Sequence, residues 1–246
     1  MKTYYNEMDS SCCAWLSNLM DAGHISPGRI DDRSIENVSP TDIKGFEHAH
    51  FFTGIGGWEL AFRLAGYQLP GTWTGSCPCQ PFSTAGRRKG TEDTRHLWPA
   101  WFRLIRECRP HRIFGEQVAS AIAYGWLDDI SADLESQDYA VGAAVLGAHS
   151  VGAPHVRQRL YWMGNSLRAR FHRHRATSVR RPAELHPHDA WTSSAFIPCR
   201  DGRFRPIKPG LPLLAHGVSD RVAKLRGLGN AIVPQVAAEF IRAAMP

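Results

Sequence analysis

A strand, a glycine-rich turn and a helix follow one another between His48 and Gly66. The stretch from His48 to Phe52 has the pattern of a buried strand, and Thr53-Gly54-Ile55-Gly56-Gly57 forms a tight turn after it. Trp58 to Ala65 then has the apolar spacing of a helix, which Gly66 ends. In such a unit the backbone of the turn can approach a ligand at the helix N-terminus. A glycine turn alone is a weak indication of binding, but the unit favours an α/β fold.

Other predicted strands end in ionisable side chains. Residues 3–8 end in Glu7, residues 28–32 end in Asp31 and Asp32, and a short apolar run leads to Glu116. Acids at the carboxyl ends of strands in a doubly wound sheet can bind ribose hydroxyls. A solvated glutamate or a capping aspartate would explain Glu7 and Asp31 as well, so the residues alone leave both interpretations open.

Cys79 lies in a turn that prolines stiffen. In Pro78-Cys79-Gln80-Pro81 the two rings fix φ on both sides of the thiol and remove two backbone donors. The basic stretch Arg87-Arg88-Lys89 follows, and positive charge near a thiol favours the nucleophilic thiolate. A buried core thiol, or half of a metal site shared with Cys77, would also fit this stretch.

Length and composition allow one substantial catalytic domain. The 246 residues, 43% of them hydrophobic, can bury one core, and the net charge of +6 suits a polyanionic partner. The six cysteines lack the spacing of a disulfide framework and the N-terminus lacks a signal core, so we expect a cytoplasmic location. No apolar run reaches the roughly 18 residues of a membrane span. No second cysteine pair completes Cys77 and Cys79, so we predict no metal site.

Several motifs together resemble the cytosine-C5 DNA methyltransferase family. They are the glycine turn from Phe52 to Gly57, Pro78-Cys79-Gln80, Glu116-Gln117-Val118, Arg157-Gln158-Arg159 and Gly229 to Pro234. The resemblance covers most of residues 1–164 and 217–240, and Gln117 departs from the family's usual asparagine. It implies a doubly wound, Rossmann-like α/β sheet of a methyltransferase that uses S-adenosylmethionine, with a short, irregular DNA-recognition insert.

The resemblance also implies roles for individual residues. Glu7 would bind the ribose of S-adenosylmethionine, and Asp31, or else Asp32, the adenine amino group. The cofactor-binding residues implied by the motifs are Phe52, Gly54, Ile55, Gly56, Gly57, Glu7, Met8, Asp31, Pro78, Asn230 and Ile232.

The same resemblance implies a reaction and a DNA surface. Cys79 would add to carbon 6 of a cytosine flipped out of double-stranded DNA, and Glu116 would contact ring nitrogen 3. Arg159 would hold the base near the thiol, and Arg157 would support Glu116 or a phosphate. We call the stretch from Cys79 to Gly90 the thiol loop. The DNA-binding residues expected in this loop and in the insert are Gln80, Ser83, Arg87, Arg88, Lys89, Arg168, Arg170, Arg173 and Arg175.

The order of the motifs departs from the family. The two acid motifs precede the glycine motif, and only 21 residues separate Gly57 from Cys79. We therefore hypothesise that the first β-α unit has moved inside the chain, behind the second and third strands. A parallel sheet allows this if residues 36–48 can cross the sheet edge.

The composition changes abruptly at Asn165, since six arginines lie between positions 168 and 181. We expect a catalytic domain over residues 1–164, a basic recognition insert over 165–215 and completing helices over 216–246. A solvated loop would also explain the basic stretch. A tRNA cytosine-C5 methyltransferase and a catalytically silent DNA-binding relative are the alternative functions, and a monomer is the expected state.

Overall fold

The computed structural model describes residues 2–78, 97–167, 195–198, 204–207 and 229–245. It contains an α/β unit with a seven-stranded mixed sheet in the order β2-β1-β3-β4-β5-β7-β6. The strands are β1 (Thr3–Asn6), β2 (Gly28–Asp31), β3 (His48–Phe51), β4 (Thr72–Gly75), β5 (Arg112–Val118), β6 (Tyr139–Gly147) and β7 (Gln158–Ser166). The first five are parallel, whereas β7 runs antiparallel to both β5 and β6.

Six α-helices connect or cover these strands in the described ranges. They are α1 (Ser10–Asp21), α2 (Pro40–Ile43), α3 (Gly57–Ala65), α4 (Trp98–Cys108), α5 (Trp126–Glu135) and α6 (Pro234–Ala243). Sequence signals explain several of their ends. The Asp9 carboxylate accepts hydrogen bonds from the first backbone N–H groups of α1, and Gly66 ends α3 with φ of 68°.

The sheet has a hydrophobic core on each face. On one face α4 and α5 pack on a cluster of aromatic rings that includes Trp98, Trp101 and Trp162. On the other face α3 and α6 bury Trp58, Phe62 and Ile241. Covered faces of this kind are what a mainly parallel sheet requires, so the doubly wound α/β prediction is confirmed.

The strand order explains the displaced glycine motif. β3 is third in the chain but lies between β1 and β4, and the residues joining β2 to β3 pass over β1 through α2. If β3 is counted first, β1 second and β2 third, the parallel strands follow the order 3-2-1-4-5 of a dinucleotide-binding sheet. The prediction that the glycine unit sits inside a rearranged chain is therefore confirmed at the level of topology.

Some boundaries differ from the predicted ones. The residues Thr72–Gly75 form the central strand β4, which the sequence analysis did not predict. β7 continues to Ser166, two residues beyond the boundary expected at 164. Within the expected insert, β8 (Ala195–Pro198) and β9 (Phe204–Ile207) form an antiparallel pair. None of the helices in the described ranges has the length and hydropathy to cross a bilayer.

Candidate active site

The carboxyl ends of five parallel strands bring most of the described motif residues to one edge of the sheet. Asn6 at the end of β1 pairs with Asp31 and Phe51, and Phe51 pairs with Gly75. Gly75 pairs in turn with Gly115, so that Glu116 follows at the same level. Binding sites in open α/β sheets lie at this edge, next to the point where the strand order reverses.

Glu7 connects the end of β1 to the glycine turn. Its Oε2 accepts a hydrogen bond from the backbone N–H of Gly54 at 2.6 Å, and its Oε1 accepts one from Asp9 at 2.9 Å. Because each carboxylate oxygen has two acceptor positions, both oxygens can still accept from a ligand hydroxyl. Met8 follows as an exposed apolar side chain beside this carboxylate.

The turn after β3 holds unusual backbone conformations. Gly54 and Gly56 have φ of 57° and 82°, and Phe52 has φ of 51°, which is rare for a bulky residue. Residues strained in this way concentrate at ligand sites. A Cβ atom on Gly54 would meet nothing within 4 Å, so the turn faces open space. Ile55 beside it is half-buried.

Gly57 permits a close contact with the C-terminal segment. A Cβ atom on this residue would lie 2.7 Å from Cγ1 of Ile232, so no larger residue fits without displacement. Ile232 is buried between α3 and the start of α6, whereas Asn230 is exposed two residues earlier. α6 packs beside the glycine-motif helix α3.

Asp31 points into the protein and is already bound. Its carboxylate side chain is 2% exposed, accepts from the Tyr4 hydroxyl at 2.7 Å and forms an ion pair with Arg33. The hydrogen bond from Arg33 is the main cause that lowers the pKa of Asp31 to about 2. The adjacent Asp32 is exposed. The expected adenine contact of Asp31 would therefore have to share oxygens with Arg33, while Asp32 is accessible.

Glu116 is the buried acid of the site. Arg159 donates from Nε to its Oε1 at 2.9 Å, and the glutamate side chain is 8% exposed. Burial raises the pKa of Glu116, while the charges of Arg159 and Arg157 and a hydrogen bond with Ser76 act in the opposite direction. The carboxyl group is thus closer to a protonated state at neutral pH than an ordinary glutamate.

The residues that lead into the thiol loop contact this acid and its strand. Trp58 donates from its indole N–H to the Ser76 hydroxyl at 3.1 Å, which links α3 to the end of β4. The Gln117 amide lies 3.4 Å from the backbone oxygen of Cys77 and is positioned to donate to it. Cys77 itself is buried in the core, and burial raises its thiol pKa, so it is no nucleophile. Pro78, which precedes Cys79 in the chain, is exposed.

Arg157 does not contact Glu116 directly. Its guanidinium donates to the backbone oxygens of Gly229, at 3.0 Å, and of Ala231. It therefore fixes the segment that carries Asn230 to the sheet edge, and its charge acts on Glu116 from there. The expected support of Glu116 by Arg157 is thus electrostatic and not a hydrogen bond.

The nucleophile and the DNA-binding residues expected from the sequence lie outside the described residues. These are Cys79, Gln80, Ser83, Arg87, Arg88, Lys89, Arg168, Arg170, Arg173 and Arg175.

The sequence analysis did not single out Ser76 or Trp58 as parts of the site. Ser76 could have been found from its position three residues before Cys79 at the end of a strand. Trp58 carried no such signal, because an aromatic residue in the first turn of an amphipathic helix is usually core. Its contact with Ser76 depends on how β3, α3 and β4 pack.

Comparison with known proteins identifies one family. Residues 69–189 match the family model of the C-5 cytosine-specific DNA methylases. The Type II methyltransferase M.AplI of Arthrospira platensis is 29% identical over 147 residues, which are 45% of this chain and 43% of that protein. The Type II methyltransferase M.HhaI of Haemophilus parahaemolyticus is 35% identical over 88 residues, or 34% and 27% of the two chains. This chain therefore aligns with less than half of either relative.

Solved structures show a more distant likeness. A putative DNA modification methyltransferase encoded within an Escherichia coli prophage has a TM-score of 0.43 at 19% identity, covering 68% of this chain and 47% of that one. A variant of Spodoptera frugiperda DNMT2 has a TM-score of 0.45 at 16% identity, covering 68% and 43%.

Proposed function

Because the chain belongs to the C-5 cytosine-specific DNA methylase family, we propose that it transfers a methyl group from S-adenosylmethionine to carbon 5 of cytosine in double-stranded DNA. One observation carries this proposal. A buried glutamate with a raised pKa, Glu116, lies in contact with Ser76, from which only three residues lead to Cys79. Addition to cytosine requires an acid and a thiol close together, and the position of Cys79 soon after Ser76 in the chain supports this arrangement.

Cys79 would be the nucleophile. Carbon 5 of cytosine is too weak a nucleophile to take a methyl group unaided. When the thiolate sulfur bonds to carbon 6, the electron pair of the 5,6 double bond moves toward carbon 5, which can then attack the methyl group. Loss of the proton on carbon 5 expels the thiolate and restores the ring. The anchored residues Ser76 and Cys77 would hold one end of the thiol loop near Glu116.

Glu116 would protonate, or share a proton with, ring nitrogen 3 while the thiolate adds. The raised pKa favours the protonated carboxyl group that this contact needs. Arg159 holds Oε1 and would orient the carboxyl group for this contact. Arg159 would also stabilise negative charge on the adduct and on the thiolate.

The described residues at the sheet edge fit S-adenosylmethionine. Glu7 keeps acceptor positions for ribose hydroxyls, Met8 offers an exposed apolar surface, and the turn at Gly54 faces open space. The N-terminus of α3 has no side-chain cap, so its backbone N–H groups can meet a carboxylate. When bound, the cofactor supplies an electrophilic methyl group.

Base flipping and DNA contacts belong to this proposal as well. Cytosine inside a base pair cannot reach a thiol and an acid together, so the base must leave the stack. The basic residues of the thiol loop and the insert would then contact phosphates. The cytoplasmic location, the monomeric state and the domain limits at 164 and 215 stay predictions.

Transfer of labelled methyl groups tests the proposal. Purified protein is incubated with labelled S-adenosylmethionine and either mixed-sequence duplex DNA or tRNA, and the labelled nucleoside is identified. We expect 5-methylcytosine in DNA, and no label above background for Cys79→Ser. The buried thiol provides a matched control, since Cys77→Ser should retain transfer. Label in tRNA alone would favour the RNA enzyme, and DNA binding without label would favour a silent relative.

A further inference from the structure

Two histidines and a glutamate meet in the protein interior below the glycine turn. His48 and His50 alternate along β3 and therefore face the same side of the sheet, where Glu59 of α3 meets them. The donor atoms of the three residues lie within 4.8 Å of one another. The side chains are 3% exposed or less. Such a cluster is unusual because ionisable groups in a core must be satisfied by partners or by a bound ion.

The far side of each imidazole ring is already held in place. Nε2 of His48 lies 3.2 Å from the backbone oxygen of Leu69, and Nδ1 of His50 lies 2.7 Å from the Thr74 hydroxyl. Metal-binding histidines are oriented in this way, by a carbonyl or hydroxyl oxygen on the nitrogen that does not bind the metal. In both residues the nitrogen that remains faces Glu59.

His48 has a lone pair without a partner among the described residues. A carbonyl oxygen can only accept, so Nε2 must carry the proton that is shared with Leu69. With that single proton on Nε2, Nδ1 is an acceptor that is buried and without a hydrogen bond, 4.0 Å from an oxygen of Glu59 that also accepts. Two facing acceptors are stabilised by a cation between them.

We propose that His48, His50 and Glu59 bind a divalent transition-metal ion, with zinc as the ion that two imidazoles and one carboxylate suit best. Zinc bonds of about 2.0–2.2 Å place tetrahedral ligands about 3.3 Å apart. The pair distances are 2.9 Å for His50 to Glu59 and 4.0 Å for His48 to Glu59, and all three ligand atoms lie within 4.8 Å of one another. Side-chain movements would therefore bring three protein ligands to a bound ion, which needs a fourth ligand besides them.

The role of this ion is structural. It joins β3 to the first turn of α3, on either side of the glycine turn, and Ser26 donates a hydrogen bond to the second oxygen of Glu59. The inference does not depend on the proposed function, because these residues do not face the sheet edge that holds Glu116. It differs from the expectation of no metal site, which considered only the cysteines. Alternating histidines in a buried strand were the signal.

Metal content and thermal stability of the full chain test the proposal. The protein is incubated with zinc(II), freed of unbound ions by dialysis, and analysed by elemental mass spectrometry. We expect about one zinc per chain and a melting temperature that falls when EDTA removes the ion. Glu59→Gln keeps the shape of the side chain but replaces one carboxylate oxygen by an NH2 group, so it should bind zinc at least about tenfold more weakly. His24→Ala, which removes an exposed histidine, is the matched control and should keep the ion.

Two results would overturn the proposal. One is wild-type protein that retains no zinc and melts at the same temperature with and without EDTA. The other is bound zinc that Glu59→Gln does not weaken, since the ion would then lie elsewhere, for example on cysteines. Replacing zinc by cobalt(II) distinguishes a cysteine site from the proposed site without any variant. Thiolate ligands give cobalt(II) intense charge-transfer bands, and nitrogen and oxygen ligands do not.

Discussion

The acid at the centre of the proposed reaction, Glu116, combines burial with a cationic neighbour. Burial disfavours its charged form, whereas Arg159 favours it, and the balance raises the pKa of the carboxyl group. The acid is therefore protonated at higher pH than an ordinary glutamate, whose pKa is about 4.3. The raised pKa of Glu116 affects the rate only if the proton of this carboxyl group takes part in the reaction.

Replacing Glu116 by glutamine should remove the alkaline limb from the plot of the methyl-transfer rate against pH. Since the wild-type acid loses its proton as pH rises, the rate falls on the alkaline side, while ionisation of Cys79 raises it on the acidic side. Glu116→Gln should lower the single-turnover rate by about 10²- to 10⁴-fold and abolish the alkaline limb. A variant that keeps the wild-type rate and both limbs would show that Glu116 is not the acid.

Asp31 should stabilise the fold in a pH-dependent way. Its pKa is depressed to about 2 in the folded protein, so the stabilisation is complete above the unfolded value near 4 and is lost as pH falls toward 2. Chemical denaturation at several pH values should show Asp31→Asn destabilised at pH 6, with a smaller difference near pH 2. Asp32→Asn, which changes the exposed neighbour, should match wild type throughout. Equal effects of the two variants would contradict this account.

Sequence patterns located individual residues better than they located their partners. Glu7 and Glu116 were predicted because each follows an apolar run, and the structure brings both to one edge of the sheet. The hydrogen bond from Arg157 to the backbone oxygen of Gly229 could not be predicted, because the two residues lie 72 positions apart in the chain. The pair Asp31 and Arg33 did carry a local signal, an acid two positions before an arginine.

At the scale of elements, the contact between α3 and the C-terminal segment joins the glycine turn to the residues just before α6. Gly57 begins α3 and lies against Ile232, just before α6. Arg157 fixes the backbone just before Ile232, at Ala231 and Gly229. The last described segment of the chain is thus a structural part of the glycine-turn site.

Gly57→Ala should disturb this contact in a way that a second substitution relieves. The new methyl group would lie 2.7 Å from Ile232, and overpacking of this kind costs about 1–3 kcal/mol of the free energy of unfolding. Removing the clashing atoms with Ile232→Ala should make the double variant more stable than the sum of the two single effects. Denaturant titration of the four proteins measures this coupling.

The matched control for that series is Gly229→Ala, where a Cβ atom would meet nothing within 4 Å. We expect its stability to stay close to that of wild type. Additive effects of Gly57→Ala and Ile232→Ala would contradict the close packing of α3 against the C-terminal segment.

For the whole molecule, the chain order and the sheet order differ, and function depends on the sheet order. The glycine unit is third in the chain, yet β3 lies between β1 and β4, where the turn meets Glu7. The fold class and this rearrangement could be predicted, because strand position in a parallel sheet is set by packing and by hydrogen bonds. The alternating histidines His48 and His50 are visible in the sequence, but their contact with Glu59 is not, since it forms only when β3 and α3 pack face to face.

Covalent trapping tests the central claim most directly, namely that Cys79 bonds to cytosine before methyl transfer. Duplex DNA in which 5-fluorocytosine replaces cytosine cannot lose a proton from carbon 5, so the adduct should accumulate in the presence of S-adenosylmethionine. Peptide mass spectrometry should find the methylated base on the peptide segment that carries Cys79, and none should form with Cys79→Ser. Methyl transfer to ordinary DNA without a trapped adduct, or an adduct on Cys77, would contradict the account.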